Sequence, residues 1–161
     1  RLVASVGKFV TVFWDEIGPI NTDWDTHWNQ TYRLKDRLLP GFDNGFSALV
    51  EDLDDRGMLD ETLVIWMSEH GRTPGFNANA GRDHWGLCAS ALFAGGGVRG
   101  GTVVGQSDSR GAVPVSEPVM PPDIVASIYH ALGVSPTQMM YDQFDRPLAL
   151  STGKVVSSLF L

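Results

Sequence analysis

The sequence predicts an α/β fold in which a mostly parallel sheet is flanked by helices. Three observations lead there. Apolar runs stand at Phe9–Trp14, Leu63–Met67 and Ala89–Ala94, the first rich in β-branched and aromatic residues, each of strand length. Between the first two, apolar residues recur at three- and four-residue spacing, which is the helical period. The resulting order of strand, helix, strand, strand and helix is that of α/β chains, whose crossovers bring strands into parallel pairing. A length of 161 residues suits one domain, here spanning residues 1–161.

Taken in order, residues 1–7 read as the end of a helix closed by Gly7. "KFVTVFWD", Lys8 to Asp15, reads as the first strand, and "EIGPINTDWDTHWNQ" as a polar loop with Gly-Pro and Asn-Thr turn signals. From Arg33 to Arg56, Leu34, Leu38, Leu39, Phe42, Phe46, Leu49, Val50 and Leu53 form one apolar face, so an amphipathic helix is expected. Pro40 marks a break or the first turn of a second helical segment, and Gly57 ends it. "LVIWM" is the second strand and "ASALFA" the third; "GGTVVGQSD" is an edge strand or a hairpin arm. Pro121-Pro122-Asp123 opens a last helix that Gly133 closes, and the tail from Ser135 is less regular.

Composition limits the function. Hydrophobic residues at 43% and charged residues at 19% support a globular core. The net charge of -7 lacks the basic face that a nucleic acid requires, so no nucleic-acid partner is expected. An anionic substrate must then be attracted locally, by a metal or by placed arginines. No apolar run is long enough to span a membrane. The lone Cys88 permits no internal disulfide and reads as a small core residue. The chain starts Arg-Leu-Val, without Met, and reads as a fragment or processed product.

Three polar clusters fall beyond strand ends, where open α/β sheets bind ligands. Asp23, Asp25 and His27 follow the first strand, Glu69 and His70 end the second, and Asp83 and His84 precede the third. Carboxylate and imidazole together are ligands for divalent zinc, manganese or iron. Arg72 and Arg82 flank the clusters, and a guanidinium fork suits a phosphate or sulfate oxygen pair. Each element also has a structural reading. Glu69 is a plausible cap, His70 a satisfied buried histidine, Asp23 and Asp25 turn formers, Asp83-His84 a surface loop, and Arg72 a weak ion pair. His130 and the tryptophans Trp24, Trp28 and Trp85 read as packing residues. Convergence of three clusters on one sheet edge favours a site over any single residue taken alone.

The run "RLLPGFDNGFSALVEDLDDRGMLDETLVIWMSEHG" resembles the alkaline phosphatase superfamily, which includes sulfatases: a helix, a linker of form RG-x-x-D-x-T, an apolar strand, then Ser-Asp-His-Gly. "WDTH", "GRTP", "NAGRDHW" and "LFAGGGVRGGTVVGQSD" look like a large bacterial sulfatase-like family of unknown function within it, over about Phe9 to Pro147. This resemblance implies an alkaline phosphatase-like α/β fold with a two-metal site, zinc or manganese being expected. Asp25, His27 and His84 would hold one ion, with Asp23 the rival of Asp25, and Glu69 and His70 would serve the other. It also implies an anionic ester substrate met by Arg72 and Arg82, and an exported, periplasmic or extracellular location. The chain departs from the pattern in having Glu69 where Asp is usual, and in lacking the superfamily's nucleophile and further metal-binding Asp before Asp23. It therefore reads as the C-terminal half of such a domain, with self-association expected to cover apolar surface. Two functions follow: a metal-dependent hydrolase of phosphate or sulfate esters, or a non-catalytic metal- or anion-binding module kept for structure or association.

Overall fold

The computed structural model describes residues 8–12 and 24–160. Helix α1 (Gln30–Tyr32) runs into a π-helical turn, Arg33–Leu38, and then into α2 (Leu39–Asp55). The wide turn is closed by the Leu39 N–H donating to the Leu34 carbonyl five residues back. Its cause follows directly in sequence. Pro40 lacks the N–H that would bond the Asp36 carbonyl, and its ring would crowd that carbonyl in a regular α-turn. At the other end, Met58 N–H donates to Leu53 O at 2.8 Å and Gly57 N–H to Asp54 O at 2.8 Å, which satisfies the last carbonyls and stops the helix.

The apolar face of α2 meets the next strand through aromatic rings. Phe42 stacks on Phe46 at 5.3 Å, lies 5.0 Å from Trp66 and meets Trp24 edge-on at 6.2 Å. Trp66 ends β1 (Val64–Trp66), which pairs antiparallel with β4 (Leu92–Ala94), Ile65 opposite Phe93. Between them lies a hairpin of β2 (Gly71–Arg72) and β3 (His84–Trp85), with Arg72 opposite His84. β5 (Gln106–Ser107) pairs with β6 (Pro114–Ser116), and β7 (Met139–Tyr141) with β8 (Pro147–Ala149), both antiparallel.

The expectation of a mostly parallel, alkaline phosphatase-like sheet flanked by helices is therefore corrected. Every ladder among the described residues is two-stranded and antiparallel. The physical reason is the connection between the second and third apolar runs. It holds a hairpin where a parallel pair needs a crossover helix, and an antiparallel pair needs none. The runs at 63–67 and 89–94 are neighbours, but they run in opposite directions. Of the run Phe9–Trp14, residues 9–12 form no strand, while Phe13 and Trp14 lie outside the described residues. "GGTVVGQSD" contributes a hairpin arm.

Helix α3 (Pro121–Ala131) begins and ends where its proline and glycine predict. The Asp123 carboxylate accepts from Met120 N–H and from Lys154 N–H, each at 2.8 Å, so the cap also fastens the tail. The fully buried Ser127 accepts from Val156 N–H at 2.9 Å. Among the described residues the buried apolar side chains are Leu38, Leu53 and Ala126, whereas Met140, Tyr141, Phe144 and Leu148 of the β7–β8 hairpin are exposed. Cys88 is half-buried rather than in the core. No helix among the described residues is long and apolar enough to cross a membrane.

Candidate metal centre

The segment Asp25-Thr26-His27 is folded by two successive three-residue turns, Thr26 N–H to Trp24 O at 3.0 Å and His27 N–H to Asp25 O at 2.9 Å. Thr26 is buried between its neighbours. The loop 77–82 holds the segment from the other side. Arg82 N–H donates to Thr26 O at 3.1 Å, Asn29 N–H to Asn79 O at 3.0 Å and Gln30 N–H to Ala80 O at 3.0 Å. The approach is so close that a Cβ on Gly81 would stand 1.9 Å from the His27 carbonyl carbon, so only glycine fits. Three residues after Gly81 the chain enters β3 at His84. The imidazole therefore reaches the Asp25–His27 segment from a strand whose start is fixed by the same loop.

Three donor atoms converge. Asp25 Oδ1 lies 3.0 Å from His27 Nε2 and 2.8 Å from His84 Nε2, and the two nitrogens are 3.1 Å apart. A shared ion requires the nitrogens to lie within about 4 Å of each other. His27 Nδ1 donates to Asp83 Oδ1 at 2.8 Å. In the neutral ring this leaves Nε2 as a bare lone pair facing the other two atoms. The aspartate behind the imidazole is the arrangement that orients metal-bound histidines.

Electrostatics keep both carboxylates charged. Desolvation would raise the Asp25 pKa, but hydrogen bonds from His84 and Arg72 and the charges of Arg72 and His27 outweigh it, and it falls to about 2. Hydrogen bonds from His27 and then Asn77 hold Asp83 below the usual carboxylate range.

The other expected residues take different places. Arg72 spends its fork inside the protein: Nη2 donates to Asp25 Oδ1 at 2.6 Å and Trp24 O at 3.0 Å, and Nη1 to Arg82 O at 3.2 Å. Arg82 Nη1 donates to Thr73 O at 2.7 Å and Pro74 O at 2.6 Å, and its guanidinium lies over the Phe76 ring. Both brace the loops through these bonds. Glu69 and His70 are not in the three-donor cluster. His70 stacks on His84 at 3.9 Å, with Nδ1 on Gly71 O at 3.0 Å and Nε2 3.2 Å from Glu69 Oε1. Glu69 is exposed, and its pKa is lowered by its own backbone N–H and by Ser68. Asp23 lies outside the described residues. His130 packs edge-on against Phe160. Gly71 sits in β2 where a Cβ would meet Cys88 O at 1.8 Å, so it serves close approach of the two backbones. Sequence reasoning placed Asp83 only in a candidate cluster with His84 and gave Asn77 no role. Their signal was the Asn-x-Asn-x-Gly turn chemistry ahead of Asp83-His84.

The model of one protein family, described as "Protein of unknown function (DUF1501)", matches residues 1–160. The chain belongs to DUF1501. No sulfatase or alkaline phosphatase family matches, so the resemblance to those enzymes is corrected to membership of this family of unknown function. No curated protein and no solved structure matches the chain.

Proposed function

We propose that this DUF1501 chain binds one divalent cation through Asp25 Oδ1, His27 Nε2 and His84 Nε2. The carrying observation is the triangle of donor atoms with edges of 2.8, 3.0 and 3.1 Å. With His27 Nδ1 donating to Asp83, a neutral pair of imidazoles has at most one proton, that of His84, to place inside the triangle. Several lone pairs therefore face one point, and a cation satisfies them all.

The edges also bear on the ion. Three ligands on one octahedral face at about 2.1 Å stand roughly 3.0 Å apart, while tetrahedral zinc ligands stand roughly 3.4 Å apart. The observed edges lie within a few tenths of an ångström of either arrangement, and zinc and manganese both take these donors. With three protein donors, an ion held here would keep coordination positions for water or an ester oxygen. The donors fit such an ion in type as well, two imidazoles and one carboxylate.

The chemistry this supports is hydrolysis of a phosphate or sulfate ester. A bound divalent ion would polarise an ester oxygen and make water a stronger nucleophile. The chain's own contribution is placement and charge. Arg72 offsets one of the two carboxylates, Asp25 and Asp83, so the ion leaves a net positive centre in a chain of net charge -7. An anionic ester is thereby drawn locally. The second reading is a structural clip. It is favoured by the small set of buried apolar side chains and by ligands on segments joined through the loop 77–82. Self-association through the exposed apolar β7–β8 hairpin is compatible with either.

Titration of the full chain with manganese, followed by electron paramagnetic resonance and anomalous diffraction, tests the site. A bound ion at Asp25, His27 and His84 is expected; no binding at millimolar manganese overturns the reading. Turnover of aryl phosphate or aryl sulfate by the loaded protein, absent after chelation, supports hydrolysis. A raised unfolding temperature without turnover supports the clip.

A further inference from the structure

The geometry points to Asn77 as the residue that positions the metal centre, acting through Asp83 to fix the tautomer of His27; this rests on the proposed cation site. The side-chain amide of Asn77 is fully used. Nδ2 donates to Asp83 Oδ1 and to His27 O, each at 2.9 Å, and Oδ1 accepts from Asn79 N–H at 2.9 Å and Gly81 N–H at 3.0 Å. The orientation is over-determined. The two backbone N–H groups need an acceptor, while a carbonyl and a carboxylate need a donor, so the reversed amide would lose every bond.

One side chain thus does two separable things. Its oxygen shapes the loop 77–81, which carries the chain up to His84. Its nitrogen pins the His27 backbone and holds the same Asp83 oxygen that accepts from His27 Nδ1 at 2.8 Å. With Asp83 held there, the proton of the neutral His27 ring sits on Nδ1 and the lone pair of Nε2 points at Asp25 and His84. Without the amide donors, Asp83, which is about half exposed, is free to turn into water and the ring can exchange its proton to Nε2. The tautomer that binds a cation through Nε2 is then no longer enforced.

The test separates the two roles. Asn77→Asp keeps an acceptor for Asn79 and Gly81 but removes both donors and sets a second carboxylate beside Asp83. Asn77→Ala removes everything, and Asp83→Ala removes the acceptor at the second link of the relay, leaving the bonds of the loop 77–81 in place. Each full-length variant is read in two ways: ring nitrogen shifts of labelled histidine in the metal-free protein, which report the tautomer, and manganese affinity by calorimetry. All three variants are expected to lose the Nδ1–H form of His27 and to bind manganese 10- to 100-fold more weakly, the range for partners behind a metal ligand. Asn77 changes made in the Asp83→Ala background should add little to the loss of the tautomer. If Asn77→Asp keeps the wild-type tautomer, the proposal is overturned, as it is if the tautomer changes but a metal-binding wild type and this variant bind equally. If Asn77→Asp or Asn77→Ala fails to fold, Asp83→Ala decides by the same two readouts. If the wild type binds no manganese but the tautomer still follows Asn77, the positioning role stands and the cation reading falls.

Discussion

Replacing Asp25 with Asn changes charge at constant shape, and the structure sets what that should cost. One oxygen, Oδ1, accepts from Arg72 at 2.6 Å and lies 2.8 and 3.0 Å from the two imidazole nitrogens. A hydrogen bond to a charged group is worth about 1.5–3 kcal/mol. The Asp25 side chain is 37% exposed, so screening reduces the loss of stability to about 1 kcal/mol. The loss for the cation should be larger. Partners behind a ligand cost about 10–100-fold in affinity; removing the only anionic ligand of three should exceed about 100-fold, or about 2.7 kcal/mol. The assay is calorimetry with manganese, alongside thermal unfolding. At about 100 times the dissociation constant the ion should stabilise the wild type by about 2.7 kcal/mol and raise its unfolding temperature by about 5–10 °C. Asp25→Asn should keep its fold, lose most of that rise and bind at least 100-fold more weakly. A folded variant that binds within a few-fold of the wild type would refute the assignment of Asp25 as a ligand.

Two further outcomes follow from the same geometry. Gly81→Ala should destabilise the chain by more than about 3 kcal/mol, because its Cβ would meet the His27 backbone at 1.9 Å and neither loop can yield without breaking the bonds between them; a urea midpoint equal to the wild type's would contradict this. Asp25, with its pKa lowered from 3.8 to about 2, contributes stability that is present above about pH 4 and lost as the pH falls toward about 2. The stability gap between wild type and Asp25→Asn in metal-free buffer should therefore narrow across that window, and a gap unchanged down to pH 2 would remove the argument.

What the sequence determined by itself is local. Periodicity set α2, and Pro121 and Gly133 set the limits of α3, because a helical face and its terminators are written within a few residues. The apolar runs at Leu63–Met67 and Ala89–Ala94 contained β1 and β4. The residue types of the proposed cation site, in Asp25, His27 and His84, were legible as chemistry. Pairing direction was not, since apolar runs of three to six residues carry no mark of which way a partner runs. The tertiary structure decided that β1 and β4 are antiparallel, because a hairpin and not a helix connects them. It also decided which polar residues meet. Arg72 and Arg82 looked like anion forks, yet Arg72 donates to Asp25 and to two backbone carbonyls, and Arg82 Nη1 to two more. Glu69 and His70, adjacent to the same strands, stay outside the donor triangle. Asn77 and Asp83 gain their importance from residues some fifty positions away in sequence, at His27. A distance of 2.8 Å across such a separation is set by the fold of the loop and by a glycine with no room for a Cβ, and no window of the sequence contains both ends of that contact.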